Sequence, residues 1–268
     1  MIPKAVRCLL VHNALEILLS FRWCRMFARS VSLHLLPQRF INLSAGLFFL
    51  LTGITQADQM PSQLERYLSQ RESEFEQIPA ERKRLLEQLA DIVQQVQSTG
   101  QPARLTFICT HNSRRSHLCQ IWAAVAAARY QVPHVEVFSG GTEVTAFNPR
   151  AVAALRRAGI EIPEPELSEN PRYEVHYSTG RPPLRCFSKV YSDLANPSAN
   201  FVAVMTCADA DEACPIVAGA AQRVPLRYED PKRADGTPED AAVYDQRCAQ
   251  IAREMLYAFF RIQPQEPE

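Results

Sequence analysis

A cysteine and an arginine lie six positions apart in the segment Cys-Thr-His-Asn-Ser-Arg-Arg-Ser, residues 109–116. An apolar run at 105–108 predicts a buried strand before this segment, and helical spacing begins at about residue 116. A loop between such a strand and a helix directs backbone N–H groups and the positive end of the helix dipole into one small volume, which suits a tetrahedral oxyanion. The pattern predicts that a Cys109 thiolate attacks an anion whose oxygens are held by the planar fork of Arg115.

A carboxyl group follows the last predicted strand, 224–226, in the segment Tyr-Glu-Asp-Pro that ends at Pro231. Ligands of a parallel sheet bind at the carboxyl ends of its strands, so Asp230 is expected on the same side as the cysteine loop. The proline after it favours extended backbone at Asp230. Because Asp-Pro pairs are common in ordinary turns, Asp230 is a candidate site residue only together with the cysteine loop.

Two more thiols, Cys207 and Cys214, bracket six residues directly after a predicted strand at 201–206. They flank a small, acidic segment that we expect to be flexible, at the sheet edge where Cys109 also lies. Hydrolysis of a phosphate ester needs one cysteine, whereas reduction of an oxyanion needs two electrons, which successive thiol exchanges can supply. The alternative is that Cys207 is an ordinary buried thiol and Cys214 a turn thiol. The other cysteines of this region fit core positions of a helix or strand: Cys119, Cys186 and Cys248.

The elements that must position these groups alternate along residues 104–262. Strands are predicted at 105–108, 135–138, 201–206 and 224–226, and helices at about 116–129, 149–158 and 238–261. The proline-rich stretch 160–199 is predicted to be an insertion with one short strand near 186–190. Alternation of this kind predicts an α/β fold, a three-layer sandwich with a central four-stranded parallel sheet flanked by helices.

An N-terminal helical pair is predicted ahead of the sheet, at about 61–75 and 80–97, because apolar residues recur there at helical spacing in a charged background. Packing of this amphipathic pair on the neighbouring domain is the expected arrangement. The predicted organisation is therefore a leader at 1–59, the helical pair at 60–100, a catalytic domain at 101–262 and a tail at 263–268.

Composition limits the class of protein. The 268 residues carry no formal net charge and are 47% hydrophobic, which is typical of a globular protein and argues against a nucleic-acid binder. The charge is unevenly placed, since residues 1–57 contain six Lys or Arg side chains and one Glu. The leader is therefore chemically distinct from the acidic remainder of the chain.

The leader contains the longest apolar run, 40–54, which polar residues interrupt and which is shorter than the roughly 20 residues that span a bilayer. Stable membrane insertion is therefore not expected. The run ends in Thr-Gln-Ala at 55–57, the small-x-small order of a secretory signal, so export to the periplasm after cleavage near Ala57 is one interpretation. The other is that residues 1–59 are not part of the native protein and that Met60 begins a cytoplasmic one.

On the residues quoted above, the region 104–262 resembles the low-molecular-weight protein tyrosine phosphatase superfamily, and within it the thioredoxin-coupled arsenate reductases. The resemblance implies that Cys109 is the nucleophile, that Arg115 binds the oxyanion and that Asp230 protonates the departing oxygen. It also implies that Asn112 maintains the shape of the loop and that Ser116 hydrogen-bonds to the thiolate. The implied oxyanion-binding residues are Thr110, His111, Asn112, Ser113, Arg114, Arg115 and Ser116.

Departures from the phosphatase pattern favour the reductases. The Cys207 and Cys214 pair is similar to the redox loop of those enzymes. The phosphatases typically carry a second loop cysteine and an aromatic residue after Asp-Pro, where this chain has Arg114 and Lys232. His111 stands where the phosphatases usually have Gly, and the next histidine, His117, is predicted to lie on a helix surface.

The sequence therefore predicts an arsenate reductase whose thiol–disulfide relay is regenerated by thioredoxin, without metal or organic cofactor. The first alternative is a phosphatase that hydrolyses phosphate monoesters through a phosphocysteine intermediate. The second is a non-catalytic oxyanion-binding or redox-sensing module. Because a thioredoxin-linked relay needs a reducing environment, a cytoplasmic working form is expected.

Overall fold

The structure, a computed structural model, describes residues 59–213 and 216–262, which belong to one compact unit, Gln56–Glu268. The predicted leader up to residue 58, the tail at 263–268 and Cys214 lie outside the described residues. No helix in the described ranges is both long and apolar enough to span a membrane.

Strands and helices alternate along these ranges. The strands described are β1 Ala103–Cys109, β2 Val135–Gly141, β3 Tyr173–Val175, β4 Leu184–Cys186, β5 Phe201–Met205 and β6 Ala220–Val224. The α-helices described are α1 Ser62–Glu72, α2 Ala80–Gln97, α3 Arg115–Arg129, α4 Pro149–Arg157, α5 Ala208–Ala213 and α6 Asp240–Phe260. Short 3-10 turns cover Phe75–Gln77 and Pro231–Ala234.

Four of the strands form a parallel sheet in the order β2-β1-β5-β6, which confirms the predicted α/β class. Strand β1 lies in the middle and alternates its side chains between the two faces. Leu105 and Phe107 point into a large apolar cluster shared with α3 and α6, while Ile108 joins a smaller cluster on the other face with Met205. The C-terminal end of β1 is therefore buried from both sides.

The last predicted strand is shifted. The structure places β6 at Ala220–Val224, whereas the apolar pattern predicts 224–226. Strand β6 pairs only with β5, across an irregular register, so it is an edge strand with partly exposed side chains. Its N-terminal half therefore lacks the apolar run that identifies a buried strand.

The proline-rich insertion contains a small antiparallel pair, β3 with β4. The strand predicted near 186–190 is only partly found, because β4 ends at Cys186 and Val190 makes an isolated parallel bridge to Gly141. That bridge places residues 187–191 beside the end of β2. The insertion therefore reaches the carboxyl edge of the main sheet.

The helical pair packs on the sheet-bearing part, as predicted. Leu64 and Leu68 of α1 and Leu86 and Leu89 of α2 are fully or almost fully buried in the same cluster as β1. Helix α2 covers the predicted range, while α1 ends early and gives way to the turn Phe75–Gln77. The pair therefore shares the core of the protein.

Candidate active site

The predicted oxyanion loop joins the end of β1 to the start of α3. Cys109, the last residue of β1, is 3% exposed. Gly141 stands opposite it on β2, and a Cβ atom there would come 2.6 Å from the Thr110 carbonyl oxygen and 2.8 Å from the Asn112 nitrogen. A side chain at 141 would collide with the loop, so glycine is needed for this close approach.

Three side chains fix the interior of the loop. The Sγ atom of Cys109 lies 3.1 Å from Ser116 Oγ, which accepts a hydrogen bond from Asn112 Nδ2 at 2.8 Å. Because that acceptor site is occupied, the Ser116 hydroxyl hydrogen is free to point at the sulfur. Asn112 has a φ of +43°, a left-handed conformation that asparagine tolerates, and its Oδ1 accepts from the Lys189 N–H at 2.9 Å.

The loop is also held from outside by hydroxyl donors. The carbonyl of His111 accepts hydrogen bonds from Ser188 Oγ at 2.9 Å and from Thr145 Oγ1 at 3.1 Å. The carbonyl of Thr110 accepts from Thr142 Oγ1 at 3.1 Å. Main-chain acceptors on the outside of the loop are therefore paired, and the backbone has little freedom to change shape.

Arg115 lies against residues 228–230, the segment that contains Asp230. It is 7% exposed and donates from Nη1 to the Tyr228 carbonyl at 3.2 Å and from Nη2 to Asp230 Oδ2 at 2.8 Å. Its Nε is buried and has no protein hydrogen-bond partner. The Nε donor is therefore available to an anion, whereas Nη2 already donates to Asp230.

Asp230 has the extended backbone that its proline favours, with φ −75° and ψ 123°. Its Oδ1 accepts from the Lys232 N–H at 3.0 Å, which caps the turn Pro231–Ala234. Arg114 Nε also lies 3.9 Å from Oδ1. The structure thus brings Asp230 next to Arg115 at the carboxyl edge of the sheet, across 115 positions of sequence.

Two of the predicted oxyanion-binding residues turn their side chains away from the loop. Ser113 Oγ donates to the Ala146 carbonyl at 2.7 Å. Arg114 Nε donates to Tyr244 Oη at 2.7 Å, and its Nη2 lies 3.3 Å from Asp235 Oδ2. Both side chains are therefore engaged by partners outside the loop.

His111 and His117 differ sharply in exposure. The side chain of His111 is 41% exposed and lies 3.4 Å from Glu143 Oε2. The prediction that His117 lies on a helix surface is wrong, because its ring is fully buried, stacks on Phe147 at 4.1 Å and lies 3.2 Å from the Phe187 carbonyl through Nε2. Burial lowers the pKa of His117 to about 3. Helix α3 is enclosed on every side, and its alanine-rich sequence is the signal that it has no exposed face.

Cys207 lies at the same edge as Cys109. It is fully buried, shares the smaller apolar cluster with Cys109, and its Sγ lies 3.5 Å from Thr110 Oγ1. The segment after it was expected to be flexible, but Ala208–Ala213 forms the short helix α5, whose Ala210 N–H donates to Cys207 Sγ at 3.4 Å. The structure thus brings together two of the three thiols predicted to form the relay.

Asp211, which the sequence alone does not identify, holds helix α5 in place through ion pairs. The side chain of Asp211 is 3% exposed, forms an ion pair with Arg223, and accepts from Arg227 Nε at 2.5 Å through Oδ2. In the sequence Asp211 is one of several acidic residues in its segment, so only the three-dimensional contact with the two arginines distinguishes it.

The remaining cysteines of the described region lie in the core, as predicted. Burial raises the pKa of Cys186 and of Cys248 to about 12, and raises that of Cys119 well above its usual value. Such thiols are poor nucleophiles near neutral pH. No group of three or more His, Cys, Asp or Glu side chains within residues 59–213 and 216–262 could hold a metal ion.

The fold and the loop at the end of β1 define the class of protein: an α/β protein with a nucleophile-bearing loop at the carboxyl edge of a parallel sheet. No protein-family model matches the chain. The arsenate reductase of Bacillus subtilis (strain 168) is 31% identical over 141 residues, which are 53% of this chain and 83% of that protein. The arsenate reductase of Bacillus licheniformis is 29% identical over 157 residues, 57% of this chain and 91% of that one. The chain belongs to the arsenate reductase family.

Two solved structures resemble part of the chain at low similarity. A low-molecular-weight protein tyrosine phosphatase from T. tengcongensis has 16% identity and a TM-score of 0.38, covering 58% of this chain and 96% of its own. The Corynebacterium glutamicum thioredoxin-dependent arsenate reductase has 16% identity and a TM-score of 0.32, covering 79% of this chain and 94% of its own. Similarity at this level carries no information on function.

Proposed function

We propose that this protein reduces arsenate to arsenite by a thiol relay that starts at Cys109. The observation that supports the proposal most is the placement of Cys207, buried beside the oxyanion loop with its sulfur 3.5 Å from Thr110 Oγ1. Hydrolysis of a phosphocysteine by water uses no second thiol, whereas an intramolecular two-electron reduction needs one.

In the first step the Cys109 thiolate attacks the arsenic atom of arsenate. The Ser116 hydroxyl stabilises the thiolate, and the buried Nε of Arg115 donates to an arsenate oxygen. Asp230 gives a proton to the departing oxygen, which leaves as water. An S–As bond has then replaced an As–O bond, and arsenic is still in its oxidised state.

Electron transfer occurs in the second step. The thiolate of Cys207 attacks Cys109 Sγ, the S–As bond breaks with its electron pair going to arsenic, and arsenite leaves. A disulfide between Cys109 and Cys207 remains. Attack of Cys214 on Cys207 then releases the Cys109 thiolate and moves the disulfide to Cys207 and Cys214.

An external dithiol must return that disulfide to two thiols, and we propose a thioredoxin-like protein as the reductant. The pair would stay oxidised in a compartment without such a reductant, so we also propose a cytoplasmic working form. A mature N-terminus near Asp58 recovered from a periplasmic fraction would contradict this localisation.

Phosphatase activity is the second candidate, because Cys109, Arg115 and Asp230 alone suffice for it. Water would then hydrolyse the phosphocysteine, and Cys207 would have no part. The parent and the Cys207→Ser variant distinguish the two. Arsenate-dependent NADPH oxidation with thioredoxin and thioredoxin reductase is expected for the parent only, with hydrolysis of an aryl phosphate similar in both. Aryl phosphate turnover without arsenate reduction by the parent would contradict the reductase proposal.

A further inference from the structure

A buried ion pair joins the N-terminal helix α2 to α6. Glu254, on α6, is 2% exposed. Its Oε2 lies 2.8 Å from Nε and 2.7 Å from Nη2 of Arg82, and its Oε1 accepts a hydrogen bond from Gln250 Nε2 at 3.0 Å. Arg82 is therefore held in one orientation as a planar cation, unlike a mobile surface arginine.

Arg82 in turn covers the residue that orients Arg115. Its guanidinium carbon lies 4.5 Å from the centroid of the Tyr228 ring. Tyr228 is buried, its N–H donates to the Thr206 carbonyl at 3.0 Å, and its own carbonyl accepts from Arg115 Nη1 at 3.2 Å. Tyr228 therefore contacts Arg82 through its ring and Arg115 through its carbonyl.

We propose that Arg82 is a positioning residue for Arg115: by fixing Tyr228, it sets the orientation of the arginine that binds the oxyanion. The proposal rests on the proposed function in taking Arg115 as the oxyanion ligand. Tyr228 also precedes the segment that carries Asp230, so the same contact orients the acid. The N-terminal helical pair then belongs to the oxyanion site as well as covering the core.

The ion pair between Arg82 and Glu254 is largely buried. A buried ion pair is often no more stabilising than apolar residues of the same volume, so stability by itself gives no reason for this pair.

The test removes both charges together, because Arg82→Met alone would leave Glu254 buried and unpaired. The double variant Arg82→Met/Glu254→Gln keeps the net charge, so the long-range attraction for anions is unchanged. The dissociation constant of inorganic phosphate is measured from protection of Cys109 against iodoacetate, followed by peptide mapping. We expect it to rise about tenfold to 100-fold, since small displacements of a positioning contact have effects of that size.

Three further variants show whether the effect is one of positioning. Tyr228→Leu keeps the core apolar and removes the ring under Arg82, so it should reproduce the loss even where the double variant does not fold. Arg82→Lys keeps a cation paired with Glu254 and should retain most of the affinity. Arg253→Met is the matched control, because it removes an ion pair 3.3 Å long between α6 and Glu74 without touching Tyr228. Its phosphate affinity should stay within about twofold of the parent.

Unchanged phosphate affinity in the double variant and in Tyr228→Leu would overturn the proposal. A loss in Arg253→Met as large as in the double variant would also overturn it, because general loosening of the helical pair would then explain both. The protection experiment needs no turnover. A parent chain that binds phosphate but reduces no arsenate would contradict the proposed function while leaving this test valid.

Discussion

The oxyanion loop at 109–116 and the redox segment at 207–213 present cysteines at the same edge of the sheet but are held in different ways. Donors from two separate stretches, 142–145 and 188–189, bind the loop, and Arg115 ties it to 228–230. In the redox segment the short helix α5 carries the side-chain contacts: buried Asp211 forms ion pairs with Arg223 of β6 and with Arg227, and exposed Glu212 lies 3.7 Å from Arg227.

This difference matches two different demands. Donors that stabilise an oxyanion are most effective when they are already in place, which a tightly bonded loop achieves. In the proposed relay Cys207 pairs with two partners in turn, and a disulfide requires Cα atoms within about 7 Å, so the segment that carries Cys207 would have to move. Release of the Asp211 ion pairs would leave the contacts that hold the loop in place.

Loss of the loop thiol should have the largest effect. In Cys109→Ser we expect arsenate reduction and aryl phosphate hydrolysis both to fall by at least about a thousandfold, because a hydroxyl does not ionise in this loop as a thiol does. Steady-state rates measure both activities. Cys186→Ala, which removes a buried thiol from β4, is the control and should retain its activity. Residual turnover of the serine variant within about tenfold of the parent would contradict the assignment of Cys109 as the nucleophile.

Asp230→Asn should separate chemistry from binding within the loop. The amide cannot donate a proton as an acid, so kcat should fall about 100-fold. The same change removes a negative charge that shares the Arg115 Nη2 donor at 2.8 Å, so phosphate should bind as well as before or more tightly. Phosphate inhibition constants and kcat are compared at one pH. Weaker phosphate binding with an unchanged kcat would be the opposite of this expectation.

Asp211→Asn should loosen the redox segment and leave the loop intact. The amide no longer pairs with Arg223 and Arg227, so Cys207 should react with iodoacetamide about tenfold faster in the variant, as opening of the segment becomes easier. Hydrolysis of an aryl phosphate should not change. Glu212→Gln is the control, because that side chain is 72% exposed and its contact with Arg227 is long, at 3.7 Å. Equal rates of Cys207 labelling in the parent, Asp211→Asn and Glu212→Gln would show that Asp211 does not hold the segment in place.

His117 should produce the smallest effect, seen only in stability. The unfolded chain takes up a proton on His117 below pH 6.5, whereas the folded chain does so only near pH 3, so the folded state loses stability as the pH falls through this window. The loss from this group between pH 6.5 and 5 should be about 2 kcal/mol. Urea unfolding of His117→Gln should therefore show a shallower pH dependence than the parent. Parallel curves for parent and His117→Gln would contradict a buried neutral imidazole.

Local pattern was sufficient to predict most of the fold. The helix at 80–97 and the strand that leads into Cys109 follow from apolar periodicity, and the loop follows from their junction. The predicted range of β6 differs from the observed one because an edge strand lacks a continuous apolar run. The predicted surface position of His117 is wrong because α3 has no exposed face.

Long-range contacts in the site could not be predicted. The sequence shows Asp230 and Arg115 but not that they lie 2.8 Å apart, and nothing in it relates Ser188 or Lys189 of the insertion to the loop. The link from Arg82 to Tyr228 joins residues 146 positions apart in the sequence. Contacts of this kind depend on the folded topology, which a single sequence does not reveal.

The most direct test of the relay uses Cys214→Ser. With Cys207 intact and its second partner removed, one equivalent of arsenate should be reduced and the enzyme should stop with Cys109 bonded to Cys207. Mass spectrometry of a non-reduced peptide digest should then show the two segments as one cross-linked species that forms only with arsenate. Absence of that species, together with arsenate reduction as fast as in the parent when thioredoxin is supplied, would contradict the relay.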